Sequence, residues 1–297
     1  EKIYTSLGLM SGTSMDGVDA SIIKSNGEDK YEVVFDQYFK YDDEIYEKLV
    51  KIRNKINTSK DLETCSIAVA DIERKITLFH ASVCKEIIDK HSSNIDLIGF
   101  HGQTIFHNAN EKISKQLGDG NLLSGLLKKK VIYNFRKNDL INGGQGAPLA
   151  PIFHQLLINQ YQIELPACIL NIGGIANATI ITSKNFSDLK SFDIGPGNCL
   201  LDEWIRRNSR KRFDKNGELA LVGKTNEIIL NQAIDNFDSI KNKNMLSFDI
   251  KDFDLNFIRG LSLEDGLSTL TDFTASIIHQ SIIDSINLDK GTELNIL

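Results

Sequence analysis

The chain has 297 residues, 41% of them hydrophobic, enough to bury one large core or two ordinary ones, and two domains with a cleft between them are expected. Lys and Arg total 34 against 40 Asp and Glu, and the net charge of −6 excludes a broad electrostatic footprint for nucleic acid. No apolar run approaches the roughly 20 residues that cross a bilayer, and the opening EKIYTSLGLMSGTSMDG lacks an apolar signal core, so a cytoplasmic protein with no membrane partner is expected. Cys65, Cys84, Cys168 and Cys199 lie far apart without CxxC spacing and read as reduced core thiols.

In chain order, residues 3–10 are β-branched and aromatic enough for a buried strand, SGTSMDG is dense in turn formers, and residues 18–25 resume strand character. YEVVFDQYF at 31–39 adds a third strand, so the chain begins with an antiparallel arrangement and not a Rossmann unit. Ile45, Leu49, Ile52 and Ile56 recur at helical spacing, and a longer amphipathic helix is expected over 61–90. DLIGF at 96–100 predicts a short buried strand, HGQTIFH a polar loop, 120–128 a helix and 131–135 a strand. A glycine-rich loop, NGGQGAPL at 142–149, precedes a short helix over 150–158. A second strand–turn–strand follows, with strand 167–171, a turn at 172–174 and strand 175–182, and its layout repeats that of the first. Helices are expected over 198–208, 226–237 and 263–286, and 292–297 reads as a last strand cut as it ends, which with the absence of an initiator Met suggests a fragment.

SGTSMDG suits a phosphate, because Gly12 and Gly17 are free to take positive φ while Thr13, Ser14 and the backbone amides offer donors; an ordinary hairpin turn explains it equally well. It is not a Walker A loop, since no Gly-Lys-Ser/Thr follows. GTSM also resembles the nucleophile stretch of subtilisin-like proteases, but Ser14 comes first in the chain and sits in a hairpin, against the order and context of that family. Gly173 and Gly174 let a backbone approach a ligand closely, or mark a β-bulge. In SFDIGPGN, Asp193 precedes Gly195 and Gly197 in what reads as a rigid loop, and it is the candidate general base. Asp16 and Asp19 are better placed to meet magnesium through water or to cap the turn, and Asp139 to meet a sugar hydroxyl. His101 and His107 are six residues apart, which is not the spacing of a helical zinc pair, so no direct metal site is expected. Arg136 and Lys137 bring local positive charge beside the glycine-rich loop.

Together, GLMSGTSMDGVDA at 8–20, HGQTIFH at 101–107, NFRKNDLINGGQGAPLAPIFH at 134–154, LNIGGIANAT at 170–179 and FDIGPGNCLLDEW at 192–204 resemble the anhydro-N-acetylmuramic acid kinase family, in that family's order. The resemblance implies an α/β, two-domain actin-like ATPase (ribonuclease H-like) fold with mixed sheets flanked by helices and an interdomain cleft, divided here as 1–135 and 136–297. It implies ATP with Mg2+ held through ATP and water, a small amino sugar as substrate in peptidoglycan recycling, and room for a homodimer. It assigns Asp193 as base; Gly12, Thr13, Ser14, Met15, Asp16, Gly17, Val18, Asp19, Gly173 and Gly174 to the phosphates; and His101, Gln103, Arg136, Asp139, Gly195 and Asn198 to the sugar. The family continues past the last strand into an adenosine-binding loop, and its Lys-Ser stretch is matched only loosely by KNMLSFDIKDF at 243–253. A truncated, inactive sugar-binding remnant and a kinase for another sugar are the alternatives.

Overall fold

The computed structural model describes residues 2–91, 94–241, 248–286 and 293–297. The chain forms two compact units, Glu1–Leu149 and Ala150–Leu297. The sequence places the division at 135/136; residues 136–149 instead go with the first unit, where their helix packs on its sheet.

In the first unit β1 (Tyr4–Ser11), β2 (Gly17–Ser25) and β3 (Tyr31–Lys40) form an antiparallel meander. Helices α1 (Asp43–Lys55), α2 (Ser59–Thr64) and α3 (Ser66–Lys90) follow. α1 starts where the Asp42 carboxylate accepts from the Ile45 amide, which satisfies one orphan donor of the first turn. The expected single helix over 61–90 is broken at Cys65, whose ψ of 11° interrupts the helical path. β4 (Leu97–Asn108) then runs parallel to β1, and β5 (Ile113–Leu117) returns antiparallel to it. After α4 (Gly120–Leu127), β6 (Lys130–Tyr133) also pairs parallel with β4, and α5 (Phe135–Ile141) leaves its end. Leu7, Val18, Ile22, Leu49, Ile76 and Ile98 are fully buried in this core, each worth roughly 1.5–3 kcal/mol relative to exposure.

Two expectations fail here for local reasons. HGQTIFH is not a loop but the second half of β4, reached through a bulge at Gly102, where φ is +70° and a side chain would meet the Leu117 carbonyl. This bulge leaves Gly102 and Gln103 buried in succession, a second register shift between Thr104 and Phe106 does the same for Ile105 and Phe106, and the period-2 signal disappears. The strand expected over 131–135 ends at Tyr133, because Asn134 takes a left-handed conformation and turns the chain directly into α5.

The second unit holds α6 (Pro151–Tyr161), then β7 (Ala167–Ile172), β8 (Ile175–Ile181) and β9 (Lys190–Pro196), again an antiparallel meander. Helices α7 (Cys199–Asn208), α8 (Glu218–Val222), α9 (Glu227–Lys241) and α10 (Leu263–Ser285) precede β10 (Asn295–Ile296), which pairs parallel with β7. The strand order β9-β8-β7-β10 repeats β3-β2-β1-β4, with the same directions. The chain therefore carries one mixed-sheet plan twice, with helices packed on each sheet, which is the expected α/β class. SFDIGPGN is strand β9 running to Pro196, and not a loop. Cys84, Cys168 and Cys199 are buried free thiols and Cys65 is half-buried. No helix among the described residues is long and apolar enough to cross a membrane.

Candidate active site

The turn between β1 and β2 is closed by the Met15 amide on the Gly12 carbonyl at 3.2 Å. Its left-handed residue is Met15, with φ of 58°, and neither Gly12 nor Gly17 takes the positive φ expected of it. The Met15 side chain is 2% exposed, and its burial in the core offsets the strain of that backbone. Gly17 is needed for closeness, since a Cβ there would lie 2.4 Å from the Phe39 carbonyl. Thr13 and Ser14 stand exposed at the tip, and the Ser14 hydroxyl donates to Asp16 Oδ1 at 2.6 Å.

Behind this tip the carbonyls are tied back. The Gly12 carbonyl accepts from Gln103 Nε2 at 2.8 Å, that of Thr13 from Arg53 Nη1 at 3.0 Å, and that of Asp16 from the Tyr41 amide at 2.8 Å. In a trans peptide the N–H points opposite to the preceding C=O, so the Thr13 and Ser14 amides face away from the core. Two outward amides in succession make a concavity of partial positive charge that suits an anion. Beneath it, the Tyr41 hydroxyl lies 2.9 Å from Ser11 Oγ, which lies 3.3 Å from His80 Nε2. His80 Nδ1 donates to the Ile76 carbonyl at 2.8 Å, so Nε2 must accept and the chain of donors runs Tyr41 to Ser11 to His80. Burial lowers the His80 pKa to about 4 and raises that of Tyr41, so the chain is uncharged at neutral pH.

Asp19, exposed beside this turn, has its carboxyl raised, first by desolvation and then by the neighbouring Asp16 carboxylate. A carboxylate whose charge is disfavoured by burial and a neighbouring acid gains from a cation near it. Among the described residues no group of three or more His, Cys, Asp or Glu side chains is arranged to hold a metal by itself.

The turn between β7 and β8 is held differently. The carbonyls of Ile172, Gly173 and Gly174 accept from Asn198 Nδ2 at 3.1 Å, the Asn198 amide at 2.8 Å and the Gly197 amide at 3.0 Å, with the Cys199 amide also 3.2 Å from Gly174. By the same trans-peptide rule, the Gly173 and Gly174 amides turn away from the start of α7. Gly197 must lack a side chain, because a Cβ would lie 2.4 Å from the Gly173 carbonyl. Asp193, half-buried in β9, pairs in register with Asn177 of β8, and its Oδ2 accepts from the Phe248 amide at 3.0 Å. A carboxylate held in a strand has a fixed direction, which a general base needs.

A third cluster gathers around the glycine-rich loop. Arg136 donates to His101 Nε2 from Nη2 at 2.9 Å and to the Gly146 carbonyl from Nη1 at 2.7 Å. Asp139 Oδ2 accepts from the Gly146 amide at 2.7 Å, and Gly144 passes so close that any Cβ would collide with that carboxylate. His101 Nδ1 donates to the Gly102 carbonyl, and burial, with the Arg136 charge, lowers the His101 pKa to about 4. The structure thus brings His101, Arg136 and Asp139 together.

Gln103 is apart from them. It is fully buried, touches the first turn and leaves its Oε1 without a hydrogen-bond partner among the described residues, so it supports the turn and does not face a sugar. Gly195 is also buried: a Cβ would lie 2.6 Å from the Phe237 ring, so close packing requires a glycine there. Asn198 is exposed but its amide is spent on the second turn. Met15, Gly17 and Val18 are buried supports of the first turn, whereas Thr13, Ser14 and Asp19 reach solvent. KNMLSFDIKDF lies partly outside the described residues; within it, the amide of Phe248 donates to Asp193. Arg53, Tyr41, Ser11 and His80 are absent from the sequence prediction. One signal was available for Arg53, since it follows Ile52 and stands four residues after Leu49, a charge on a helix face that is otherwise apolar.

Residues 4–294 match the family model described as anhydro-N-acetylmuramic acid kinase. A Pelagibacter ubique protein named anhydro-N-acetylmuramic acid kinase is 67% identical over 297 residues, which is 100% of this chain and 79% of that protein. One of the same name from Agrobacterium fabrum is 37% identical over 289 residues, 94% of this chain and 76% of its own length. Among solved structures, the PPX-GPPA enzyme of Aquifex aeolicus aligns over 93% of both chains at 9% identity, with a TM-score of 0.33.

Proposed function

Because the chain belongs to the anhydro-N-acetylmuramic acid kinase family, and is therefore a phosphotransferase, we propose that it converts 1,6-anhydro-N-acetylmuramic acid, ATP and water to N-acetylmuramic acid 6-phosphate and ADP. In this reading Asp193 takes a proton from water as the water oxygen bonds to the anomeric carbon. The bond from that carbon to O6 breaks, and O6 takes the γ-phosphoryl group while ADP leaves. The outward amides of Thr13 and Ser14 hold phosphate oxygens, and those of Gly173 and Gly174 form a second turn of the same kind. Magnesium carried by ATP offsets charge on the phosphates when bound, and Asp16 and Asp19 are the carboxylates suited to meet it through water. Arg136, held by His101 and the Gly146 carbonyl beside Asp139, is the cation suited to an acidic sugar.

The observation that carries the reading is the repeated turn, with its carbonyls tied back in both units, next to a strand-held carboxylate in the second. The test is ADP release by the purified protein. It should depend on the anhydro sugar, and Asp193→Asn should lower kcat by about 10²- to 10⁴-fold, the usual contribution of a general base. Full turnover by Asp193→Asn would remove the base assignment, and ADP release with a different sugar alone would move the substrate.

A further inference from the structure

We infer that Arg53 and Gln103 are positioning residues for the nucleotide, holding two successive carbonyls of the first turn away from the phosphates, with Arg53 also adding its charge from behind. The inference rests on the phosphate reading of that turn. Arg53 lies on the face of α1 that carries Leu49 and Ile52, and the residue is 9% exposed. A guanidinium in such a place is costly unless its donors are used, and Nη1 is used on the Thr13 carbonyl, forty residues away in sequence. Gln103 is 0% exposed and bonds the Gly12 carbonyl, ninety-one residues away, although its own Oε1 is left without a partner among the described residues. An apolar side chain of similar length would fill the same space and avoid that orphan. What the amide adds is control of the Gly12 carbonyl.

The consequence is electrostatic. Were either peptide to rotate, a carbonyl oxygen would replace an amide at the tip and repel a phosphate oxygen. The two side chains therefore keep the concavity in its anion-accepting form before the ligand arrives, which is the arrangement that costs no reorganisation on binding. Arg53 works through charge and geometry, Gln103 through geometry alone, and the two contributions separate by substitution.

The experiment is steady-state kinetics with ATP and the anhydro sugar varied in turn, on Arg53→Met, Arg53→Lys, Gln103→Met and Gly12→Val. Arg53→Met should raise KM for ATP about 10- to 100-fold, and Gln103→Met about 3- to 10-fold, with KM for the sugar changed less than about twofold. Arg53→Lys, which keeps the charge, should recover most of the Arg53→Met loss. If Arg53→Met does not fold by circular dichroism, Arg53→Lys and Gln103→Met decide, and an unchanged ATP KM in both overturns the inference. Equal rises in both KM values, or an Arg53→Lys no better than Arg53→Met, also overturn it in favour of a merely structural role. Gly12→Val separates this from the underlying reading: among the described residues a Cβ at Gly12 meets only Ser14 Oγ, at 3.6 Å, so the variant should fold and crowd the phosphate space. If Gly12→Val raises ATP KM while the Arg53 and Gln103 variants do not, only the present inference falls. If Gly12→Val leaves ATP KM unchanged, the phosphate reading falls and takes the inference with it.

Discussion

The two turns reach the same end by unlike means. In the first unit the Thr13 and Gly12 carbonyls are held by side chains that arrive from α1 and β4, Arg53 and Gln103, with that of Asp16 on the Tyr41 amide, above a buried chain of Tyr41, Ser11 and His80. In the second they are held at short range, by the backbone at the start of α7 and by the Asn198 side chain. One strand plan repeated twice thus leaves the support of its turn free to vary. A turn held by remote side chains depends on the integrity of the whole unit; a turn held by adjacent backbone depends on one glycine that lets two segments touch. These dependences can be broken separately.

The largest expected difference is in acid. His80 is neutral and fully buried in the folded first unit, with a pKa of about 4, against 6.5 when exposed. Between those values the unfolded chain binds a proton that the folded one does not, so stability is complete above pH 6.5 and falls as the pH drops toward 4. The loss is roughly 3 kcal/mol from this group. Chemical denaturation at pH 7 and pH 4.5 should show the fall, and a His80→Leu variant should be less stable at pH 7 but flatter with pH. Hydrogen exchange should find α3 losing protection before α10. Equal loss in both helices would remove the contrast.

Smaller is the effect of adding one methyl group to each turn. Gly197→Ala forces a Cβ against the Gly173 carbonyl and should cost about 2 kcal/mol in a denaturant titration, while Gly12→Ala, whose Cβ meets Ser14 Oγ at an ordinary 3.6 Å, should stay within about 0.5 kcal/mol. Similar costs for the two would mean that the second turn relaxes and is not clamped. The smallest change is Asn198→Ala. It removes one exposed hydrogen bond to Ile172 while the three backbone amides remain, and should cost about 0.5–1 kcal/mol.

Much of the plan was legible because the signals are local. Ile45, Leu49, Ile52 and Ile56 mark α1 by spacing alone, and the strand–turn–strand repeated at 3–25 and 167–182 announces the duplication before any contact is known. The turns and Asp193 were visible as glycine-bearing segments next to apolar strands. What misled was also local: the Gly102 bulge hid half of β4, and glycine density signals close packing of any kind, as Gly195 shows against Phe237.

The amino-acid order by itself located most of the strands and helices, since hydrophobic period and turn chemistry act over a few residues. Tertiary structure alone decided which groups stand behind those turns. Gln103 and Gly12 are ninety-one positions apart, and Arg53 and Thr13 forty, so no spacing relates them. They meet because β4 enters beside β1 and α1 packs on that sheet, and folding must bring those elements together before either hydrogen bond can exist.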